Sequence, residues 1–217
     1  MTQLRERLRL TDLSIGYPAG DGMQLLSSDL NIAIGQGEIL GILGPSGIGK
    51  STLLSTIAGI LAPMAGRVII DGVDATDTPI HQRGVGLVFQ EPLLFRHLSV
   101  LGNVSYGLRR HGSSRRMADE RSHELLSWVG LDQLADRQVH ELSGGQAQRI
   151  ALVRALAPNP AVLLLDEPFS ALDTELRQRL AADVVSLVRR ERVATIHVTH
   201  DPAEADRMCD RVITLSS

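Results

Sequence analysis

A glycine-rich stretch, GPSGIGKST at residues 44–52, contains the only lysine of the sequence, Lys50. It follows the apolar stretch EILGIL and precedes a helical pattern, with the spacing G-x-x-x-x-G-K-S. Glycines let such a backbone aim its N–H groups inward, where they bind anions together with the helix N-terminus. Lys50 would place a compact ammonium between the terminal phosphates of a nucleoside triphosphate. The hydroxyl of Ser51 would bind Mg²⁺. The predicted phosphate-binding residues are Gly44, Pro45, Ser46, Gly47, Ile48, Gly49, Lys50, Ser51 and Thr52.

Two adjacent carboxylates end another apolar stretch, AVLLLDEP at residues 161–168. A strand end before a proline bends the backbone, so Asp166 and Glu167 can both face the edge that holds the phosphate loop. Asp166 would help to hold Mg²⁺ through its water, and Glu167 would polarise the water that attacks the γ-phosphate. A salt-bridged turn without chemistry is the alternative for this stretch.

The elements that must position these residues follow an α/β pattern. Between strand-like stretches lie helical ones, among them the stretch with apolar spacing at Leu53, Leu54, Ile57 and Ile60. Continuous apolar runs at 38–43 and 161–166 are typical of parallel strands that helices cover on both faces. Between about 91 and 155 the strand patterns disappear, which indicates an inserted helical subdomain, and the charged stretch 109–123 should include an exposed connection. Strands are predicted at 8–15, 30–34, 38–43, 67–71, 85–90, 161–166, 194–200 and 211–215.

The composition narrows the class of protein. The 217 residues are 43% hydrophobic with a net charge of −3, which favours one soluble globular core and argues against nucleic-acid binding. The apolar runs fall short of the roughly 20 residues of a spanning helix, and no signal peptide opens the chain, so neither membrane crossing nor export is expected. The one cysteine, Cys209, excludes an internal disulfide, fits a reducing compartment and is expected to be buried on a terminal helix.

A second glycine-rich motif, LSGGQ at residues 142–146, comes directly before a helical pattern and forms another helix N-terminus suited to negative charge. LSGGQ is the signature of the ATP-binding cassette (ABC) ATPases, and the chain resembles that family over nearly its whole length. Gln90 resembles the Q-loop glutamine, Asp173 in SALD the D-loop aspartate, and His200 in VTHD the switch histidine. Tyr17 is the candidate for the aromatic residue that stacks on adenine, although a packing role is the alternative.

The resemblance implies an α/β P-loop NTPase core with a mixed sheet flanked by helices, an antiparallel β portion at the N-terminus and an inserted helical subdomain. Residues 1–217 would form one ABC ATPase domain, with its core at about 1–90 and 156–217 and its helical subdomain at about 91–155. The implied cofactors are ATP and Mg²⁺. The implied catalytic residues are Lys50, Glu167 and His200, and the implied metal-binding residues are Ser51, Gln90 and Asp166.

Cassettes of this family associate head to tail, so each ATP lies between the phosphate loop of one chain and the signature of the other. The resemblance therefore implies a dimer with a second copy, or with a homologous cassette. The residues that would contact the partner's ATP are Ser143, Gly144, Gly145 and Gln146. Gln90 would relay nucleotide occupancy to transmembrane permease subunits through residues 90–100, a segment that resembles importer cassettes. Simple packing of the helical subdomain is the alternative for that segment.

The implied function is the ATP-hydrolysing subunit of an importer, held at the cytoplasmic face of the membrane by its permease, with a solute-binding protein as a further candidate partner. A cassette ATPase of DNA repair, translation or cell division is the alternative, but no coiled-coil insert, second cassette or basic face is evident. A small P-loop kinase would have no use for LSGGQ. Two departures from the family are Ala147, where a charged or amide residue is common, and an expected lack of a C-terminal regulatory domain after ITLSS. Residues 70–100 resemble thiamine, polyamine and inorganic-anion importers alike, so the transported solute is not readable.

Overall fold

The structure, a computed structural model, describes residues 5–20, 22–170 and 172–215. The strands are β1 (Glu6–Ala19), β2 (Gly22–Gly35), β3 (Ile39–Leu43), β4 (Ala65–Ile70), β5 (Val73–Asp74), β6 (Val85–Val88), β7 (Val162–Asp166), β8 (Ala194–Val198) and β9 (Arg211–Thr214). The helices are α1 (Lys50–Ala58), α2 (Val100–Arg110), α3 (Arg115–Trp128), α4 (Gly144–Leu156), α5 (Thr174–Glu191) and α6 (Pro202–Met208). Every strand predicted from the sequence is present, and only β5, which is two residues long, was not predicted.

The strands form two sheets. Four antiparallel strands lie in the spatial order β2-β1-β4-β5, and five parallel strands lie in the order β6-β7-β8-β3-β9. In the parallel sheet, β7 and β3 both pair with β8, and β6 pairs with β7. The α/β class is confirmed, and the expected combination of parallel and antiparallel strands is distributed over these two sheets.

The parallel sheet is covered on both of its faces, as its continuous apolar strands predict. Ile39, Leu163 and Leu165 belong to a hydrophobic core shared with α4 and α5. Their strand neighbours Leu40 and Leu164 belong to a second core shared with α1 and the antiparallel sheet. The alternation of strand side chains thus places the sheet between two cores, and the chain between β6 and β7 contributes three helices, α2, α3 and α4, to the first of them.

Two expectations about local structure need correction. Ile60 does not belong to the apolar face of α1, because the helix ends at Ala58, Gly59 turns the chain with φ 84°, and Ile60 is 48% exposed. Cys209 follows the last residue of α6 and is only partly buried. Burial, with the negative charge of Asp210 and other nearby acids, raises the pKa of its thiol to about 12, so the thiol is poorly reactive.

The charged stretch 109–123 includes the expected connection only at 111–114, since α3 begins at Arg115. Across the part of the chain that the structure describes, no helix combines the length and the apolar character required to traverse a bilayer.

Candidate functional site

The topology of the parallel sheet brings four chemically distinct loops to one edge. The phosphate loop follows β3, Asp166 ends β7, His200 comes two residues after β8, and Gln90 comes two residues after β6. These four strands are direct neighbours in the order β6-β7-β8-β3, and all run in the same direction. Because parallel strands present their carboxyl ends at the same edge, residues far apart in sequence converge there.

The phosphate loop has the local geometry that its glycines predict. Gly49 has a φ of 107° and occupies the N-cap of α1, where no side chain accepts a hydrogen bond from the first turn of the helix. Those backbone N–H groups remain available to an anion at the positive end of the helix dipole. Lys50 is only 6% exposed, and its Nζ donates to the backbone oxygens of Gly44 at 2.7 Å and Pro45 at 3.0 Å. The ammonium is thus held inside the loop.

A pocket of about 250 Å³ lies against this loop. It is lined by Tyr17, Leu26, Ser46, Gly47, Gly49, Lys50, Ser51, Thr52 and Glu167. The structure therefore brings together the aromatic candidate, the phosphate loop and one of the two acids. Leu26, on β2, was not predicted, because an aliphatic residue on a strand carries no signal of a ligand site.

Tyr17 lies near the end of β1 and is 39% exposed. Its hydroxyl donates to Gln24 Oε1 at 2.7 Å, and Gln24 is its cross-strand partner on β2. The bond orients an exposed ring at the mouth of the pocket, as stacking on a planar base requires. Gln24 was also missed, since only the strand register places it beside the tyrosine.

The two acids occupy different environments at the end of β7. Burial raises the pKa of the Asp166 carboxyl, the charge of Glu167 raises it further, and the Ser51 hydroxyl and Lys50 oppose both effects. A partly buried carboxylate beside a serine hydroxyl is an oxygen donor set that suits Mg²⁺, which usually keeps waters and phosphate oxygens as its other ligands. The described residues contain no cluster of three or more histidine, cysteine or acidic side chains for a metal held by protein alone.

Glu167 turns away from the strand with a φ of 45°, which is an uncommon backbone conformation for a residue other than glycine. Its N–H donates to the backbone oxygen of Val198 at 3.0 Å, and its Oε2 lies 2.9 Å from His200 Nδ1. A second pocket, of about 330 Å³, lies on the histidine side and is lined by Glu167, Ser170, Arg177, Thr199, His200, Asp201, Pro202 and Glu204. Glu167 therefore lines both pockets.

The signature residues form the capped N-terminus of α4. Ser143 Oγ accepts from the N–H of Gln146 at 3.3 Å, and Gln146 Oε1 accepts from the N–H of Ser143 at 2.9 Å, so α4 begins with a reciprocal capping box. Ser143 and Gly144 are exposed. Asp173 is the N-cap of α5 and accepts a single hydrogen bond from the N–H of Leu176 at 2.9 Å.

Three predicted groups lie outside the phosphate-loop pocket. Among the described residues that line this pocket, Gln90, residues 143–146 and Asp173 are absent. Gln90 is exposed, and so is Asp173. One chain thus presents the pocket at its phosphate loop and, elsewhere on its surface, the exposed N-terminus of α4.

Residues 27–170 match the family model described as ABC transporter. Among curated relatives, the chain is 48% identical over 189 residues to a spermidine/putrescine import ATP-binding protein of Frankia alni, covering 87% of this chain and 41% of the relative. It is 45% identical over 192 residues to a sulfate/thiosulfate import ATP-binding protein of Pseudomonas aeruginosa, covering 87% and 58%. An Fe(3+) ions import ATP-binding protein of Streptomyces coelicolor is 45% identical over 194 residues, covering 89% and 56%. The chain spans about half the length of these relatives.

A solved structure resembles the chain over almost its whole length. It is the ATP-binding cassette MJ0796, a dimer in a post-hydrolysis state bound to ADP and Pi. The TM-score is 0.85 at 32% sequence identity, with 96% of this chain and 94% of that chain covered. The fold of the chain is therefore that of a solved nucleotide-binding cassette.

Proposed function

This chain belongs to the ABC transporter family, and we propose that it binds and hydrolyses MgATP to drive separate transmembrane permease subunits. One observation carries the proposal: Lys50, Ser51 and Glu167 line one pocket with Tyr17. That pocket combines a cation and helix N-terminus for phosphates, a hydroxyl for the metal, a carboxylate for water and an aromatic ring for the base.

In the proposed reaction, Tyr17 stacks on the adenine while Lys50 and the backbone N–H groups of the loop bind the phosphates. Ser51, Asp166 and Gln90 would hold Mg²⁺, which when bound would supply positive charge to the triphosphate. Glu167, which lines the pocket, would accept a hydrogen bond from the attacking water. His200 is bonded to the same carboxylate, so it would fix the orientation of that group and would also contact the γ-phosphate.

The proposed active form is a head-to-tail pair of cassettes. Gly144 at the start of α4 is exposed, and an added Cβ there would meet no atom within 4 Å, so the helix end is open to an approaching anion. We propose that Ser143, Gly144, Gly145 and Gln146 contact the ATP bound to the phosphate loop of a second copy or of a homologous cassette. Asp173 would lie at the same interface. Each ATP would then be enclosed only after the two chains close.

We propose that the chain acts in solute import, since the curated relatives described above are all import subunits. Residues 90–100 would contact a permease, and the chain would work at the cytoplasmic face of the membrane through that contact. In this arrangement, the residues at about 91–155 form a helical subdomain on a core of about 1–90 and 156–217. The import relatives favour transport over DNA repair, translation or cell division.

The test is to produce the chain together with the proteins encoded beside its gene and to purify the assembly into liposomes. MgATP hydrolysis is then measured with and without each of several solutes, among them a polyamine, sulfate and Fe³⁺. We expect a membrane protein to copurify and one solute to stimulate hydrolysis. Hydrolysis that no membrane protein or solute changes would count against transport, and absence of MgATP binding would count against the nucleotide site.

A further inference from the structure

Arg154 on α4 has an unusual set of partners. Its Nη1 donates to the backbone oxygen of Leu93 at 2.8 Å, its Nη2 donates to that of Pro92 at 3.2 Å, and its Cζ lies 5.2 Å from the centroid of the Phe95 ring. The side chain is partly buried, and burial lowers the pKa of its guanidinium, with no neighbouring charge contributing. All the contacts named here are with residues 92–95, which we call the tip segment.

Two buried polar side chains hold the tip segment and the residue just before Gln90. Asn103 on α2, fully buried, accepts from the N–H of Phe95 at 2.8 Å and donates to its carbonyl oxygen at 3.1 Å. Gln148, also on α4, donates to the backbone oxygen of Phe89 at 3.2 Å. The chain on both sides of Gln90 is therefore bonded to α4, the helix that begins with the signature.

The tip segment presents apolar surface outward. Leu93 is 54% exposed and has a φ of 42°, an uncommon conformation that surrounding contacts must maintain. Tyr106 on α2, 42% exposed, packs against Phe95 with ring centroids 4.7 Å apart. Exposed apolar side chains held in a strained conformation are typical of a surface that contacts another protein.

We propose that Arg154 is a positioning residue that fixes the tip segment to the signature helix, so that a displacement of α4 by nucleotide is passed directly to the surface that contacts the permease. The transmission to a permease depends on the proposed function, whereas the attachment itself does not. Serving two carbonyl oxygens and an aromatic face at once requires the planar fork of arginine, and lysine offers only one compact ammonium.

Arg149 provides a matched control on the same helix. Its Nη1 donates to the backbone oxygen of Val129 at 3.0 Å, next to the end of α3, and burial also lowers the pKa of its guanidinium. Arg149→Met therefore removes this bond, together with a longer one of 3.4 Å from Nε to the backbone oxygen of Gly145 in the same helix, without touching the tip segment.

The first experiment measures hydrogen exchange by mass spectrometry in the purified wild-type chain and in the variants Arg154→Met, Arg154→Lys and Arg149→Met. In Arg154→Met we expect the backbone amide of Phe95, which donates to Asn103, to exchange roughly tenfold faster, because loss of charged hydrogen bonds favours local opening. Arg154→Lys should also accelerate its exchange, and Arg149→Met should leave it at the wild-type rate. Wild-type exchange in either Arg154 variant, or equal acceleration in Arg149→Met, would overturn the attachment.

The second experiment separates coupling from hydrolysis in the chain assembled with its permease in liposomes. The Arg154→Met chain alone should hydrolyse MgATP at the wild-type basal rate, while stimulation by permease and solute should fall severalfold compared with Arg149→Met. Retained stimulation together with a loosened tip segment would overturn the coupling role. If the wild-type assembly shows no stimulation, the proposed transport function fails, and the exchange rates alone then decide whether Arg154 fixes the tip segment.

Discussion

Glu167 Oε2 lies 2.9 Å from His200 Nδ1, although the two residues are 33 positions apart in the sequence. They meet because β7 and β8 pair in parallel, with Asp166 opposite Val198, and because the N–H of Glu167 donates to the backbone oxygen of Val198. The side chain of His200 is 63% exposed and that of Glu167 is 20% exposed. The more exposed imidazole of His200 thus orients the Glu167 carboxylate, and this carboxylate is the group proposed to activate water.

Replacing this carboxylate by an amide should separate nucleotide binding from hydrolysis. Glu167→Gln keeps the size of the side chain and a hydrogen bond to His200, but it removes the basic oxygen. We expect ATP to bind as tightly as in the wild type and phosphate release to fall by about 10²–10³-fold. In the presence of ATP, the variant should then accumulate as a dimer, which gel filtration detects. Brisk hydrolysis by the variant would remove Glu167 from the role of the base.

Lys50 should be required for its shape as well as its charge. The ammonium is buried inside the loop and bonded to the oxygens of Gly44 and Pro45, where a planar guanidinium is too wide to take its place. We expect Lys50→Ala and Lys50→Arg both to lose most ATP hydrolysis, measured as phosphate release, and Lys50→Ala to weaken ATP binding. Thermal unfolding of each variant provides the control for folding. Wild-type turnover in Lys50→Arg would contradict the steric argument.

A complementation test addresses the composite site. A mixed dimer of Lys50→Ala and Ser143→Arg chains has one site with both defects and one site with an intact Lys50 facing an intact Ser143. If the signature acts across the dimer, the mixture should recover hydrolysis to roughly a quarter of the wild-type rate, since random pairing makes half of the dimers mixed. A mixture no more active than the two variants measured separately, or a wild type that never associates with ATP, would count against the shared site.

Most of the residues that line the phosphate-loop pocket were expected there from the sequence, because their spacing reflects local structure. Gly49 and Lys50 indicate a helix N-terminus that can bind phosphate, and the apolar run before Asp166 indicates a buried strand. Both features are decided within a few residues, so no knowledge of the tertiary fold was required.

The contacts among these residues were not predictable, because they depend on strand order. Nothing near Glu167 in the sequence indicates that β8 pairs with both β7 and β3, which brings His200 to the carboxylate. Arg83 and Arg154 donate to backbone carbonyls. Such contacts produce no recognisable sequence pattern, because any residue type can supply the carbonyl and only the position of the backbone decides which one does.

Gly59 should be irreplaceable for a steric reason that Gly72 does not share. Both have positive φ values, 84° and 80°, but a Cβ on Gly59 would lie 2.5 Å from Arg83 Cζ, whereas one on Gly72 would meet nothing within 4 Å. Arg83 cannot move freely, because it is 6% exposed and its guanidinium donates to the backbone oxygens of Thr56 and Ile57 at the end of α1.

We expect Gly72→Ala to lower the free energy of unfolding by about 1–2 kcal/mol, from the backbone conformation alone. Gly59→Ala should lower it by a further 1–3 kcal/mol or so, because the added methyl group overpacks a buried site. Urea unfolding of the two variants against the wild type measures both effects. An equal decrease in the free energy of unfolding in the two variants would show that the Arg83 guanidinium moves aside with little energetic penalty.

The buried carboxyl of Glu204, which lines the same pocket as His200, should make stability depend on pH. Glu204 on α6 is 5% exposed, and its Oε1 lies 2.8 Å from Nε2 of His197, which is fully buried on β8. Burial raises the pKa of the Glu204 carboxyl, but hydrogen bonds from His197 and Thr199 and the charges of His197 and Arg177 outweigh it, so the pKa lies below its ordinary value of 4.5. The charged form is therefore favoured in the folded chain.

A carboxyl whose pKa falls on folding stabilises the folded chain above its unfolded pKa, and this contribution disappears as the pH falls through the folded pKa. At pH 7, Glu204→Gln should therefore lower the free energy of unfolding by about 1–3 kcal/mol, as for loss of a charged hydrogen bond. Urea unfolding at pH 7, 5 and 3.5 should show this difference shrinking below about pH 4.5. Glu175→Gln, at an exposed position on α5, is the control and should change stability little at any of these pH values. A Glu204→Gln deficit that persists undiminished at pH 3.5 would show that packing, and not the charge of Glu204, supplies the stabilisation.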